Sequence, residues 1–188
     1  MLARNVAGVI SLPILVVQVL GSPNSLGVLM ISSRLVVVHS GQTGVERGVH
    51  RATVALGLSV AGFSSLEQRD EFGKLPDAIA AQLSPCARRG VRSPIMANLE
   101  IASGLIVVAP DAHLAARTPG VSAILTHARR CSVPYRIVDG RSDFDDIAAW
   151  AESLSTADEL RLMVTGPRET RWPQGEGAGW RLLTTIVM

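Results

Sequence analysis

The chain has 188 residues, 47% of them hydrophobic, and a mean hydropathy of +0.30, which suits one domain with a sizeable core and excludes a disordered chain. The net charge is +2, with 17 Arg against the single Lys74, and aromatics are only 4%, so neither charge nor aromatic content supports a nucleic-acid binder. Cys86 and Cys131 have no C-x-x-C partner and no His at ligand spacing, which argues against a zinc site or a disulfide framework and favours a reduced, cytoplasmic setting.

Residues 1–29 carry one charge, Arg4, ahead of an apolar run broken by Pro13. The run is too short and too interrupted for a membrane-spanning helix, and no clear cleavage site follows it. It reads as an extension without structural duty, such as a start assigned upstream of Met30 would leave, with a targeting segment or a true structural element as the alternatives. Met30 opens a well-formed first strand, so the folded domain is expected over 30–188.

From Arg34 the order is regular. The stretch RLVVV (34–38) is apolar and β-branched, as in a strand buried on both faces of a parallel sheet. A helix over about 44–57 places Val45, Val49, Ala52 and Leu56 on one face and Glu46, Arg47, His50 and Arg51 opposite, with Gly57 as the stop. LSVAGF (58–63) predicts strand two, 64–75 is polar and irregular, and PDAIAAQL (76–83) predicts a short helix. After a basic loop (84–94) and a further short helix come strand three (104–110), an amphipathic helix (120–131) and strand four (133–139). A helix over 142–154 capped by Ser142, strand five (159–164) and a closing helix (177–188) complete the order. Apolar strands alternating with helices predict an α/β fold: a doubly wound, mostly parallel sheet of about five strands with helices on both faces. Ligands in such sheets sit beyond the carboxyl ends of the strands.

Three loops fall at those ends. His-Ser-Gly-Gln-Thr-Gly (39–44) matches neither G-x-x-x-x-G-K-[ST] nor G-x-G-x-x-G. Its physics still suits an anion: Gly41 and Gly44 permit positive φ, Ser40 and Thr43 offer hydroxyls, and Gln42 and Arg47 stand beside a helix N-terminus. The loop after strand five carries Gly166-Pro167-Arg168-Glu169, where Arg168 and Arg171 could clamp a phosphate. Thr118, Gly120 and Ser122 open the middle helix and form a weaker candidate, since Thr118 could simply cap it. His39, His50, His113 and His127 are scattered and read as surface or supporting residues. No nucleophile elbow, acid–base pair or metal cluster is visible, so no catalytic and no metal residue is assigned.

These residues carry a resemblance. HSGQTGVERGVHRATVALG, MANLEIASGLIVV, the 118–122 region and VTGPRET together resemble the putative molybdenum carrier family, a Rossmann-like group of the DprA/LOG type. Ser40 to Val45 and Arg47 match its opening motif with Glu46 standing for the acid, Asn98 and Ser103 fall on its N-x-x-x-x-S stretch, and Gly166 to Glu169 match its late GPRES motif. Pro119-Gly120-Val121 and SLEQRDEFGKLPD depart from it, on loops that bear on ligand identity more than on fold. The resemblance implies a Rossmann-like binder of a phosphorylated small molecule, and a homo-oligomer is expected. Its cargo would be molybdenum cofactor, held without catalysis and with no nucleic-acid or membrane partner. Two alternatives remain: a nucleotide-processing enzyme that cleaves an N-glycosidic bond, with Glu169 or Glu100 activating water, or a sensor of a nucleotide-derived ligand. The motif P-G-G-x-G-T-x-x-E of LOG-type phosphoribohydrolases is absent, which counts against the first of these.

Overall fold

The computed structural model describes residues 34–87, 93–115, 119–139, 144–154 and 159–188. The apolar N-terminal stretch 1–29, Thr118 and Ser142 lie outside them. Strand β1 (Leu35–Val38) runs into the turn 39–44 and then helix α1 (Val45–Ala55). β2 (Ser59–Ala61) follows, then four short strands around helix α2 (Asp77–Ala80): β3 (Phe63–Ser64), β4 (Arg69–Asp70), β5 (Gly73–Lys74) and β6 (Ser84–Pro85). The rest is α3 (Ser93–Glu100), β7 (Gly104–Ala109), α4 (Ala112–Ala115), α5 (Pro119–Arg130), β8 (Tyr135–Asp139), α6 (Asp145–Ser153), β9 (Leu160–Thr165) and α7 (Gly175–Val187).

The main sheet has the order β2-β1-β9-β7-β8, and every pairing in it is parallel. The five expected strands are the five observed, each within two or three residues of its expected bounds. Every residue of β7 is buried, as are all of β9 but Arg161, which explains their near-continuous apolar sequences. One face carries α1, α6 and α7 over a core that includes Val45, Val49, Ile147, Leu182 and Ile186. The other carries α3 and α5 over Leu99, Leu105, Leu125 and Ala128.

Two differences from the sequence reading matter for the site. The segment 64–75 contains an antiparallel hairpin, β4–β5, pairing Arg69 with Lys74. And the polar face of α1 is only partly open to solvent: Arg51 is exposed, but Glu46 and His50 are buried, because the turn before α1 folds back over them. The helix stops as expected, with Gly57 at φ 66° and Leu58 N–H closing onto the Thr53 carbonyl at 3.0 Å. α1 packs against α7 at very short range; a Cβ on Gly48 would lie 1.8 Å from the Glu176 carbonyl oxygen.

Candidate ligand-binding site

The turn after β1 is organised by one carboxylate. Glu46 Oε2 accepts from Ser40 N–H (2.9 Å), the Ser40 hydroxyl (2.7 Å) and Gln42 N–H (3.1 Å). Its Oε1 accepts from the hydroxyl of Thr165, the last residue of β9, at 2.8 Å. Sited in the first turn of α1, the acid also meets the positive end of the helix dipole. Burying a carboxylate is costly unless donors replace water, and four do so here. Glu46 thereby ties the ends of two adjacent strands, β1 and β9, into one floor.

His39 braces the same turn from behind. Its Nδ1 accepts from Gly41 N–H at 3.1 Å, and its Nε2 lies 3.2 Å from His50 Nδ1. Because Nδ1 is an acceptor, the imidazole proton sits on Nε2 and is donated to His50. Complete burial, then the neighbouring His50 and Arg47, push the His39 pKa down to about 3. His50 is lowered as well, by burial and then by Arg47.

The late loop and the hairpin close around this turn. Gly44, at φ 74°, has no room for a side chain: a Cβ would stand 2.5 Å from the Pro167 carbonyl oxygen and 2.9 Å from Glu169 N. Thr43 donates its hydroxyl to Glu71 and accepts from Glu169 N–H at 3.3 Å. Glu71 also accepts from the Thr170 N–H at 3.2 Å and the Thr170 hydroxyl at 2.5 Å. Burial would raise the Glu71 carboxyl, but the Thr170 and Thr43 donors and the charge of Arg168 outweigh it and hold it below its ordinary value. Arg47 pairs with Asp70 of β4 at 2.8 Å and reaches the Gly41 carbonyl at 3.4 Å.

Between these parts lies a cleft of about 350 Å³, lined by Ser40, Gln42, Glu46, Thr165, Gly166 and Arg168 from the two strand ends. Ser65, Glu67, Arg69 and Asp70 form another wall, and Pro94, Ile95 and Ile124 an apolar one. A second, more open hollow of about 250 Å³ shares Asp70 with the cleft and is bordered by Thr43, Arg47, Phe72, Lys74, Glu169 and Glu176, among others.

The expected site residues divide accordingly. Ser40, Gln42, Gly166 and Arg168 line the cleft; Gly41, Gly44 and Pro167 shape its backbone; Thr43, Arg47 and Glu169 face the hollow. Gly120 and Ser122 are exposed on α5, which reaches the cleft with Ile124 instead. Arg171 is exposed and borders neither space, as is Glu100. Asn98 and Ser103 serve the scaffold: Asn98 Oδ1 accepts from Phe63 N–H at 2.6 Å, and Ser103 Oγ accepts from Arg161 N–H at 3.2 Å. Sequence reasoning missed Glu46, Arg69, Asp70, Glu71 and Thr165 as parts of the site. The one available signal was an acid in the first turn of α1, directly after a donor-rich loop.

The sheet order adds a further clue. If the last strand, β9, is counted first, β2-β1-β9-β7-β8 becomes 3-2-1-4-5, the order of dinucleotide-binding sheets. The family model for circularly permutated YpsA SLOG proteins matches residues 37–187. The chain belongs to the circularly permutated YpsA SLOG family. Its strand order fits such a permutation, with the central strand β9 and the loop Gly166–Glu169 that follows it standing at the end of the sequence. No curated protein matches the chain. Among solved structures it is similar to a putative molybdenum carrier protein from Syntrophus aciditrophicus, with a TM-score of 0.70 at 18% identity over 84% of this chain and 96% of that one. At that identity the likeness supports the Rossmann-like fold. Among the described residues no helix is long and apolar enough to cross a membrane, and no three His, Cys, Asp or Glu side chains could jointly hold a metal ion.

Proposed function

We propose that this SLOG protein binds a phosphorylated small molecule in the cleft at the carboxyl ends of β1 and β9, and that molybdenum cofactor is the leading ligand. The observation that carries this is the state of Arg168. It lines the cleft half-buried and makes no salt bridge among the described residues, whereas Arg47 is neutralised by Asp70. A half-buried guanidinium beside strand termini, in direct contact with no carboxylate although Glu71 lies near enough to feel its charge, is suited to a bidentate phosphate contact. The cleft volume also lies in the range of small-molecule sites. The structural neighbour's description as a molybdenum carrier supports the choice of ligand.

Thermal-shift and calorimetric titration with molybdenum cofactor and with nucleoside monophosphates test the reading. Saturable binding that weakens about tenfold or more in Arg168→Ala is expected. Absence of binding to every phosphorylated probe would refute it, and release of free base from a mononucleotide would replace the carrier with a hydrolase. Of the acids considered for that hydrolase, Glu100 lies away from both spaces and Glu169 borders the hollow, not the cleft.

A further inference from the structure

The glycine turn has the composition of a phosphate cradle, yet the donors of its first half, from Ser40 to Gln42, are already occupied. Ser40 N–H, the Ser40 hydroxyl and Gln42 N–H all point at the Glu46 carboxylate. The N-terminal end of α1 is covered in turn, because Gly44 abuts the backbone of Pro167, Arg168 and Glu169. A pyrophosphate laid across this turn, as dinucleotide folds lay theirs, would meet a buried negative charge where they offer free N–H groups.

The positive charge of the cleft lies elsewhere. Arg69, on β4, lines the cleft together with the strand-end residues and like Arg168 forms no salt bridge among the described residues. Its backbone is pinned: Ser65 Oγ accepts from Arg69 N–H at 2.8 Å, and Gln42 Nε2 donates to the Arg69 carbonyl at 3.3 Å. The acids on the same walls are engaged, Glu46 by its four donors, Asp70 by Arg47, and Glu67 in contacts of its own. Beside these polar residues, Pro94, Ile95 and Ile124 give the cleft an apolar lining for a flat ring. About 350 Å³ is at the small end for a ligand pocket and suits one ring system with one phosphate.

We propose that the cleft takes the monophosphate ester of a planar heterocycle, with its phosphate between Arg69 and Arg168 and its ring against Pro94, Ile95 and Ile124. The Ser40–Gly44 turn then shapes the floor without touching the phosphate. This placement rests on the cleft being the ligand site.

The test is a ligand-by-variant cycle on the full chain. Calorimetry measures GMP, AMP and molybdenum cofactor, the dephosphorylated nucleosides, and NAD, each against wild type, Arg69→Gln and Arg168→Gln. For the phosphorylated probe that binds best, each variant should lower affinity about tenfold or more while changing nucleoside affinity less than about twofold. NAD should bind wild type at least about tenfold more weakly than that probe. Arg69 is exposed, so its variant should melt with wild type. If Arg69→Gln weakens nucleoside and nucleotide equally, or neither, or if NAD binds as well as the monophosphate, the placement is overturned although the cleft still binds. If wild type binds none of the phosphorylated probes, the cleft reading falls with it.

Discussion

Replacing His39 by Asn should remove a pH dependence of stability that the buried imidazole creates. The ring ordinarily titrates at 6.5 and is pushed down to about 3 in the folded chain, chiefly by burial. Between those values the unfolded chain binds a proton that the native chain refuses, so stability rises with pH across this window and is constant above it. From pH 8 to pH 5 the loss from His39 amounts to about 1.5 pH units below its unfolded pKa, or roughly 2 kcal/mol at 1.36 kcal/mol per unit. His50 shifts in the same direction and adds to it. Glu71 is lowered from 4.5, so its stabilisation is lost only as pH falls below that, outside the window measured. Asn retains an acceptor for Gly41 N–H but loses the contact with His50, which costs about 1–3 kcal/mol at pH 8. Urea unfolding of both proteins at pH 8, 6.5 and 5 is the assay. The variant's loss between pH 8 and pH 5 should be smaller than wild type's by about 2 kcal/mol. Equal losses would show that His39 is not a buried neutral imidazole.

Two further outcomes follow from packing and hydrogen bonding. Glu46→Leu strands the Ser40, Gln42 and Thr165 donors and should cost roughly 3 kcal/mol or more, while Glu46→Gln should cost only about 1 kcal/mol. In the latter the amide oxygen takes the turn's donors and its nitrogen donates to the Thr165 hydroxyl; equal costs in urea unfolding would remove Glu46 as the organiser. Gly48→Ala sets a Cβ 1.8 Å from a backbone oxygen of α7, so the two helices must separate. A loss of roughly 3 kcal/mol is expected despite the better helix propensity of Ala, and a stabilised variant would contradict the close approach of α1 and α7.

The sequence by itself determined the sheet. Short apolar runs such as Leu105–Ala109 and Leu162–Val164 suit strands buried on both faces, and the helices between them favour parallel pairing. It also disclosed both site loops, because glycines at 41 and 44 announce positive φ and Gly166-Pro167 announces a sharp turn. Only the tertiary structure decided what those loops do. The order β2-β1-β9-β7-β8 sets Gly166 beside Ser40 although 126 positions separate their numbers, 166 − 40, and no local pattern encodes that adjacency. Helical periodicity assigned Glu46 and His50 to the solvent face of α1. The folded-back turn buries both, since a side chain's exposure depends on what packs over the helix and not on the helix alone. Arg69 and Glu71 were hidden for the same reason: a two-residue strand has too short a pattern to read, and its charges gain meaning only from the loops the hairpin meets. The Ser40–Gly44 turn thus shows donors in its sequence, and the fold supplies the carboxylate that takes those of Ser40 and Gln42.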